Sequence, residues 1–349
     1  MKFLTWQNPE QLFVAQVLIK ILNYSVAEIR MKKKISIIVP VFNCAQYLKA
    51  CLDSLINLQA VNELEVEIVV VDDGSTDNSP QICDNYAQKY GNVFVFHTTN
   101  QGVSCARNYG LNKSHGDWIM YVDGDDVLRS DSLIVLAKNK FWEYDVLRFG
   151  LNEVCFGNVQ PFEINFSHNR KDYLRLLVSR RTVLGVCGGI YKRSLIEDNH
   201  ITFDASIRTG EDWLVLFKLV VSASAFSYVN ENLYGYTVNQ QSVTRKKIDF
   251  VRPDGLIAFN RILEYAADNQ IFISSNDIAR AQSSLRRNMM KEAILNKSKK
   301  IYIETDEQLK KYVPQSLFKD IVYAERIKHK LGFLFYSILD CWYRLFACK

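Results

Sequence analysis

Three carboxylates stand within four residues at Asp123-Gly124-Asp125-Asp126, directly after an apolar run over residues 118–122 that reads as a buried strand. A second acidic cluster, Asp72-Asp73-Gly74-Ser75-Thr76-Asp77, follows the apolar run 68–71 in the same way. Carboxylates this close repel one another, and a fold keeps them together most readily when a cation neutralises them. Asp and Gly are also common wherever a strand runs into a loop. Two such clusters at neighbouring strand ends favour the ligand reading, because open α/β sheets bind at the carboxyl ends of their strands. Hard divalent ions such as Mg²⁺ or Mn²⁺ take oxygen ligands and keep bonds to substrate phosphates.

The surrounding pattern predicts such a sheet. Short runs at 35–39, 66–71, 93–97 and 118–122 are rich in β-branched and aromatic residues and read as strands. Leu48, Cys51, Leu52, Leu55 and Ile56 recur at helical spacing after the first, and Ile82, Cys83, Tyr86 and Ala87 after the second. Ser75, Thr76 and Asp77 offer oxygens to cap that second helix. Alternation of this kind implies βαβ units and a mostly parallel sheet. No G-x-G-x-x-G or Walker A motif follows the first strand, so a dinucleotide or P-loop site is not supported. Residues 141–245 are mixed, with strand-like pieces at 146–149, 162–166 and 228–236. Gly210-Glu211-Asp212 opens a helix with Leu214, Phe217 and Leu219 as core candidates, and beyond Arg252-Pro253 the sequence turns helical.

Composition narrows the partners. A net charge of +5 over 349 residues is mild and gives no argument for nucleic acid. Eight cysteines and five histidines are scattered without zinc spacing, which reads as reduced thiols in a cytosolic protein. Residues 1–30 make a poor signal peptide, because Gln16 and Lys20 interrupt the apolar stretch and no cleavage site follows. Met31-Lys32-Lys33-Lys34 looks like a natural chain start, so residues 1–30 read as a mis-assigned start or an amphipathic extension. The tail is basic (Lys319, Arg326, Lys328, Lys330) and then aromatic from Leu331 to Tyr336; Asp340 and Arg344 interrupt it before it can span a bilayer. It suits an anionic membrane surface on the cytoplasmic face, or packing against the preceding domain or another subunit.

Five motifs occur in order: Ile38-Val39-Pro40-Val41-Phe42-Asn43, Val71 to Asp77, Asn100-Gln101-Gly102-Val103-Ser104-Cys105-Ala106-Arg107-Asn108, Tyr121 to Asp126, and Gly210-Glu211-Asp212. Together they resemble the inverting family 2 glycosyltransferases of bacterial surface-polysaccharide type, over about residues 34–245. The resemblance implies an α/β GT-A fold, a Rossmann-like mixed sheet flanked by helices. It implies a catalytic domain over 31–245; beyond 245 the resemblance lapses, and the sequence pattern itself gives a helical C-terminal region over 246–349. The resemblance further implies a nucleotide-diphosphate sugar as donor, a UDP-sugar being favoured, with Mn²⁺ or Mg²⁺ as cofactor and a hydroxyl as acceptor, and the basic, aromatic tail suggests that this acceptor is a glycan or lipid-linked group presented at the membrane. By resemblance Asp125 and Asp123 hold the metal, and Asp123 also reaches the donor ribose. Asp73, with Asp72, hydrogen-bonds the nucleotide base, Pro40 and Phe42 shape its pocket, and Arg107 lies near the diphosphate or pairs with its acidic neighbours. Asp212 is the base, with Glu211 second and orienting the acceptor. Trp213 either stacks on an acceptor sugar or fills the core.

The chain departs from the family pattern at Cys187-Gly188-Gly189-Ile190, where a Trp and a basic residue are common, and at Thr237, where an Arg is frequent. Two rivals remain. A nucleotidyltransferase would carry a Gly-rich basic loop after the first strand, which Pro40-Val41-Phe42-Asn43-Cys44-Ala45 is not. A catalytically silent sugar-nucleotide or glycan-binding scaffold has no chemical need for Asp123, Asp125 and Asp212 together.

Overall fold

Strand β1 (Lys33–Val41) is apolar on both faces: Ile35, Ile37, Val39 and Val41 join one core cluster, while Ile38 joins the other. A strand covered on both sides has no solvent face, which is why its apolar run is continuous rather than alternating. Helix α1 (Ala45–Ile56) buries Leu48, Cys51, Leu52 and Leu55 on that first face. There follow β2 (Leu64–Asp72), α2 (Ser79–Lys89), β3 (Val93–His97), α3 (Val103–Lys113) and β4 (Trp118–Tyr121). All four expected strands are present, and β1–β4 pair in parallel in the order β3-β2-β1-β4. This computed structural model describes residues 32–155, 158–161, 167–238 and 253–295, with 304, 305 and 307 besides. The extension at 1–30, the strand expected at 162–166 and the basic, aromatic tail lie outside the described residues.

Helix α2 buries Cys83 and packs Ile82 and Tyr86, partly buried, against the same core, while the cap position Asn78 makes no side-chain bond. Of the three residues expected to cap it, Asp77 accepts the Ser79 N–H (2.9 Å) through one oxygen and the Ala45 N–H (3.0 Å) through the other, which ties the starts of α1 and α2 together, whereas Ser75 Oγ accepts the Asn43 N–H (3.0 Å) instead. Helix α3 was not foreseen, because its apolar spacing is weak and Gly110 lies inside it. That glycine lets the helix lie flush on the sheet: a Cβ there would come within 2.5 Å of Ile38 Cγ2.

The second half completes the sheet. In chain order come β5 (Val127–Leu128), α4 (Ser132–Lys138), β6 (Val146–Cys155), β7 (Asn158–Pro161), α5 (Arg170–Val178), β8 (Gly189–Lys192), α6 (Arg193–Asp198), α7 (Glu211–Ser222), β9 (Phe226–Thr237), α8 (Asp254–Asp268) and α9 (Ser275–Leu295). The nine strands form one mixed sheet, β3-β2-β1-β4-β8-β6-β9-β5, with β7 on β6. Only residues 122–126 separate β4 from β5, yet β5 pairs with β9 at the far end of the order. The sheet therefore curls, and the acidic loop after β4 comes to lie beside β9. Helices α5, α7, α8 and α9 cover the second face around Trp213, Phe217 and Phe259. No helix among the described residues is long and apolar enough to cross a membrane.

At the opposite end of the sheet a buried carboxylate holds β1, β2 and the turn before β4 in register. Glu67, 3% exposed, accepts hydrogen bonds from Ser36 Oγ (2.6 Å), the Gly116 N–H (3.1 Å) and the His115 N–H, and pairs with Lys34 (3.0 Å). Burial alone would raise its pKa; the bonds from Ser36, His115 and Lys34 outweigh that and hold it below the usual range. Removing one partner of such a set leaves buried donors unpaired. Glu67→Ala is expected to cost about 2–4 kcal/mol in urea unfolding, with Glu67→Gln losing less. Because the folded pKa lies below the unfolded one, this stabilisation is present above the ordinary Glu pKa and fades as pH falls through the folded value. The gap between wild type and Glu67→Ala should therefore close on acidification.

Candidate active site

Three motifs meet because three parallel strands end together. Val41 lies opposite Asp72 in the β1–β2 pair, the Asp73 N–H donates to Val41 O (2.8 Å), and the Val122 N–H donates to Ile38 O (3.0 Å). Phe42, Asp72-Asp73 and Asp123–Asp126 thus share one rim. Of the residues expected to frame a base, Pro40 is buried and Phe42 is 47% exposed, the one large aromatic surface among them. Both aspartates of the second motif turn toward the protein. Asp73 accepts the Gln101 N–H (2.9 Å) and the Gly102 N–H (2.7 Å), fixing the start of α3. Asp72 accepts the Ser75 N–H (3.1 Å) and meets His97 Nδ1 (2.8 Å), whose Nε2 reaches Asp84 (3.0 Å). Gly74, at φ +69°, allows the two loops to interlock, since a Cβ there would lie 2.8 Å from the Asn100 nitrogen.

The three carboxylates of the β4 loop have different surroundings. Asp126 is buried; it accepts the Tyr234 O–H (2.6 Å) and the Thr237 N–H (2.7 Å) from β9. Burial, and then the charges of Asp123 and Asp125, push its pKa well up. It is the internal brace of the loop, and Thr237 serves it through the backbone. Asp123 is one-third exposed (34% of its side chain) and accepts from Arg107 (2.8 Å). Asp125 is partly exposed at the same rim. Among the described residues, no three His, Cys, Asp or Glu side chains form a ready metal cage. Asp123 and Asp125 offer oxygen donors of the kind a hard divalent ion shares with substrate phosphates and water. Gly124 has no room for a side chain without crowding Cys44 Sγ (3.0 Å) and Pro40 O (3.1 Å).

Arg107 connects this rim to the start of α7. It is 4% exposed, with one terminal nitrogen on Asp123 and the other on Glu211 (3.0 Å), and its guanidinium lies 5.3 Å from the Phe203 ring centroid. Around it, the Asn108 amide exchanges two hydrogen bonds with the Phe203 backbone (2.8 and 2.9 Å), and Ser104 Oγ donates to Asp204 O (3.3 Å). The polar face of α3 is therefore a strut between the β4 loop and the segment leading into Glu211-Asp212. Glu211 is buried; burial and then Asp212 raise its pKa to about 7 against the opposing pull of Arg107. Asp212 is partly exposed, with Oδ1 accepting the Trp213 N–H (2.7 Å). Burial raises its pKa, Arg107 pulls it down, and Asp123 pushes it up, so the two clusters share one electrostatic environment.

Trp213 is a core residue: it is 1% exposed, stacks on Phe259 (5.5 Å, 11°) and donates to Leu177 O (3.1 Å). Several neighbours of the site lie outside the five motifs. Tyr234 is one of twelve residues in a long strand, and only the curl of the sheet brings its hydroxyl to Asp126 and the Asp123 N–H (3.2 Å). Cys187, at the departure noted above, has its thiol pKa pushed up by burial, then by Asp123, which places it beside the acidic loop. Gly185 lies against Asp212; a Cβ there would come 2.9 Å from Oδ2. Arg148, buried beneath this loop, holds Gly185 O (3.0 Å), Val186 O (3.1 Å) and the Tyr191 hydroxyl (2.5 Å).

A curled α/β sheet with acidic loops at its strand ends is an arrangement that can hold an anionic ligand where a divalent cation bridges it to the carboxylates. Residues 36–196 match the sequence profile of Glycosyl transferase family 2, and this part of the chain belongs to that family. Glycosyltransferase GlyA of Streptococcus pneumoniae is 31% identical over 61% of this chain and 32% of its own length. The Staphylococcus aureus poly(ribitol-phosphate) beta-N-acetylglucosaminyltransferase TarS is 30% identical over 68% of this chain and 43% of its own. The chain thus spans about a third of the first relative and under half of the second. Among solved structures, S. aureus TarS 1–349 in complex with UDP-GlcNAc aligns with a TM-score of 0.53 at 22% identity, covering 87% of this chain and 79% of that one. At that identity the likeness establishes the GT-A fold.

Proposed function

We propose that this protein transfers a sugar from a nucleotide diphosphate to an acceptor hydroxyl with inversion, in the synthesis of a cell-surface polysaccharide or glycolipid. The observation that carries the reading is the Asp123–Arg107–Glu211 bridge, which sets a donor-side acidic loop and an acceptor-side carboxylate pair around one buried cation. UDP is the favoured nucleotide, since structural neighbours are described in complex with UDP and UDP-GlcNAc. The names of relatives, poly(ribitol-phosphate) transferases among them, favour a surface glycan or teichoic-acid-type acceptor.

The roles follow from the surroundings. Asp212 is the base that takes the acceptor proton: among the described residues its Oδ2 has no hydrogen bond, and its raised pKa strengthens it as a base. Glu211 is committed to Arg107 and orients the site rather than exchanging protons. Phe42 offers its exposed ring to the nucleotide base, framed by the loops that Asp72 and Asp73 hold. Asp123 and Asp125 fit a Mn²⁺ or Mg²⁺ ion, which when bound would offset charge growing on the leaving diphosphate.

A thermal-shift panel of nucleotide diphosphates with and without Mn²⁺ tests this. UDP at about a hundredfold above its dissociation constant should add about 2.7 kcal/mol of stability, several degrees in melting temperature. Asp125→Ala should lose the Mn²⁺-dependent part of that shift. A shift with GDP or dTDP instead keeps the reaction and changes the donor. No shift with any nucleotide would return the protein to the scaffold reading.

A further inference from the structure

Arg180 is a cation that the catalytic reading does not use. It follows α5 in a left-handed conformation (φ +58°), with its N–H donating to Leu177 O (3.2 Å). Its guanidinium lies 5.0 Å from the centroid of the Trp213 ring, and no described residue offers it a hydrogen bond or a carboxylate within ion-pair distance. The platform beneath it is rigid, because Trp213 is itself clamped between Phe259 and Leu177 O. A ring face satisfies the charge in part and none of the five N–H donors. Arg287 from α9 adds to the mismatch: burial first, and then repulsion from Arg287, lower the Arg180 pKa to about 10, with Asp212 alone acting against them. By contrast Arg107 is matched by two carboxylates. Arg180 is thus a cation within the electrostatic reach of Asp212 that no described carboxylate pairs.

We infer that Arg180 forms an oxyanion subsite for a phosphate group carried by the acceptor close to the hydroxyl that reacts. Planar guanidinium groups bind phosphate oxygens through paired hydrogen bonds, so the open N–H fork is the feature such a group completes. The inference rests on the acceptor-side placement of Asp212 proposed above. It adds the chemistry of the acceptor, a phosphate ester, whether of a polyol phosphate chain or of a lipid-linked diphosphate.

The test is calorimetric titration of the full chain, saturated with UDP and Mn²⁺, with inorganic phosphate, glycerol 3-phosphate and a short-chain alkyl diphosphate. Wild type should bind at least one of these, and Arg180→Gln should weaken that binding about tenfold or more, as expected for a lost charge-assisted hydrogen-bonding pair, with UDP affinity unchanged. Tighter binding of glycerol 3-phosphate assigns the polyol phosphate, and tighter binding of the alkyl diphosphate assigns the lipid carrier. Equal affinity of wild type and Arg180→Gln, or no binding of any probe by a wild type that binds UDP, overturns the subsite. If wild type fails to bind UDP, the donor reading fails instead, and the same titrations without nucleotide still decide the role of Arg180. Should Arg180→Gln not fold, phenylglyoxal labelling of wild type decides: phosphate should protect Arg180 from modification, and unchanged labelling overturns the proposal.

Discussion

Asp212→Asn is expected to lower sugar transfer by about 10²–10⁴-fold while leaving donor-nucleotide affinity unchanged. Asparagine keeps the side chain's volume and its oxygen facing the Trp213 N–H (2.7 Å), so the start of α7 should stay in place. What it removes is the charge that would accept the acceptor proton. Asp212→Glu should not restore the full rate, because the added methylene displaces the carboxylate from the position it holds beside Gly185, where even a Cβ would come within 2.9 Å of Oδ2. Glu211→Gln makes the contrast. Its carboxylate is buried against Arg107, so its loss should disturb the bridge and donor affinity as well as turnover. Paired measurements of transfer rate and UDP affinity separate the two. Equal defects in both quantities for both variants would remove the distinction between base and orienting residue.

Much of this arrangement was legible in the chain, and the parts that were not share a cause. The strands and their acidic ends were visible because buried parallel strands are continuous apolar runs, a signature that β1 keeps over Ile37–Val41 and β2 over Ile68–Val71. Helix α3 left no such trace. It meets the sheet through Gly110 and Ala106, and its remaining face carries Ser104, Arg107 and Asn108 toward other loops. Small and polar residues in those positions read as a motif, not as a helix. Asp72 and Asp73 were legible as a pair but not in direction: the loop of which they are part folds back, so their oxygens meet backbone N–H groups and, for Asp72, the His97 ring. Tyr234 and Arg180 were invisible because each reaches the site from a distant element. Nothing local to a residue in β9 or after α5 records that the sheet curls or that Trp213 is a platform.

Arg107→Met should be the most damaging single change at the site, costing about 3–5 kcal/mol of stability and abolishing transfer. A buried guanidinium joined to two carboxylates is held against a large desolvation cost, and burial is the leading influence on its pKa even though Asp123 and Glu211 drive it well up. Removing it leaves Glu211, 6% exposed, without its cation, and leaves Asp123 facing Asp125 and Asp126 with one fewer compensating charge. Arg107→Lys should rescue stability only in part, since a single ammonium cannot hold the two sides of the bridge in the fixed fork of a guanidinium. The decisive comparison is the double variant Arg107→Met/Glu211→Met. If the loss comes from stranding a buried carboxylate, taking away both partners should be less destabilising than taking away Arg107 alone, with a coupling of about 0.5–3 kcal/mol in urea unfolding. Transfer should stay lost in the double variant, because the strut from the β4 loop to α7 is then gone whatever the stability. Additive losses would mean that Arg107 supports the fold through its contact with Phe203 and not through the bridge.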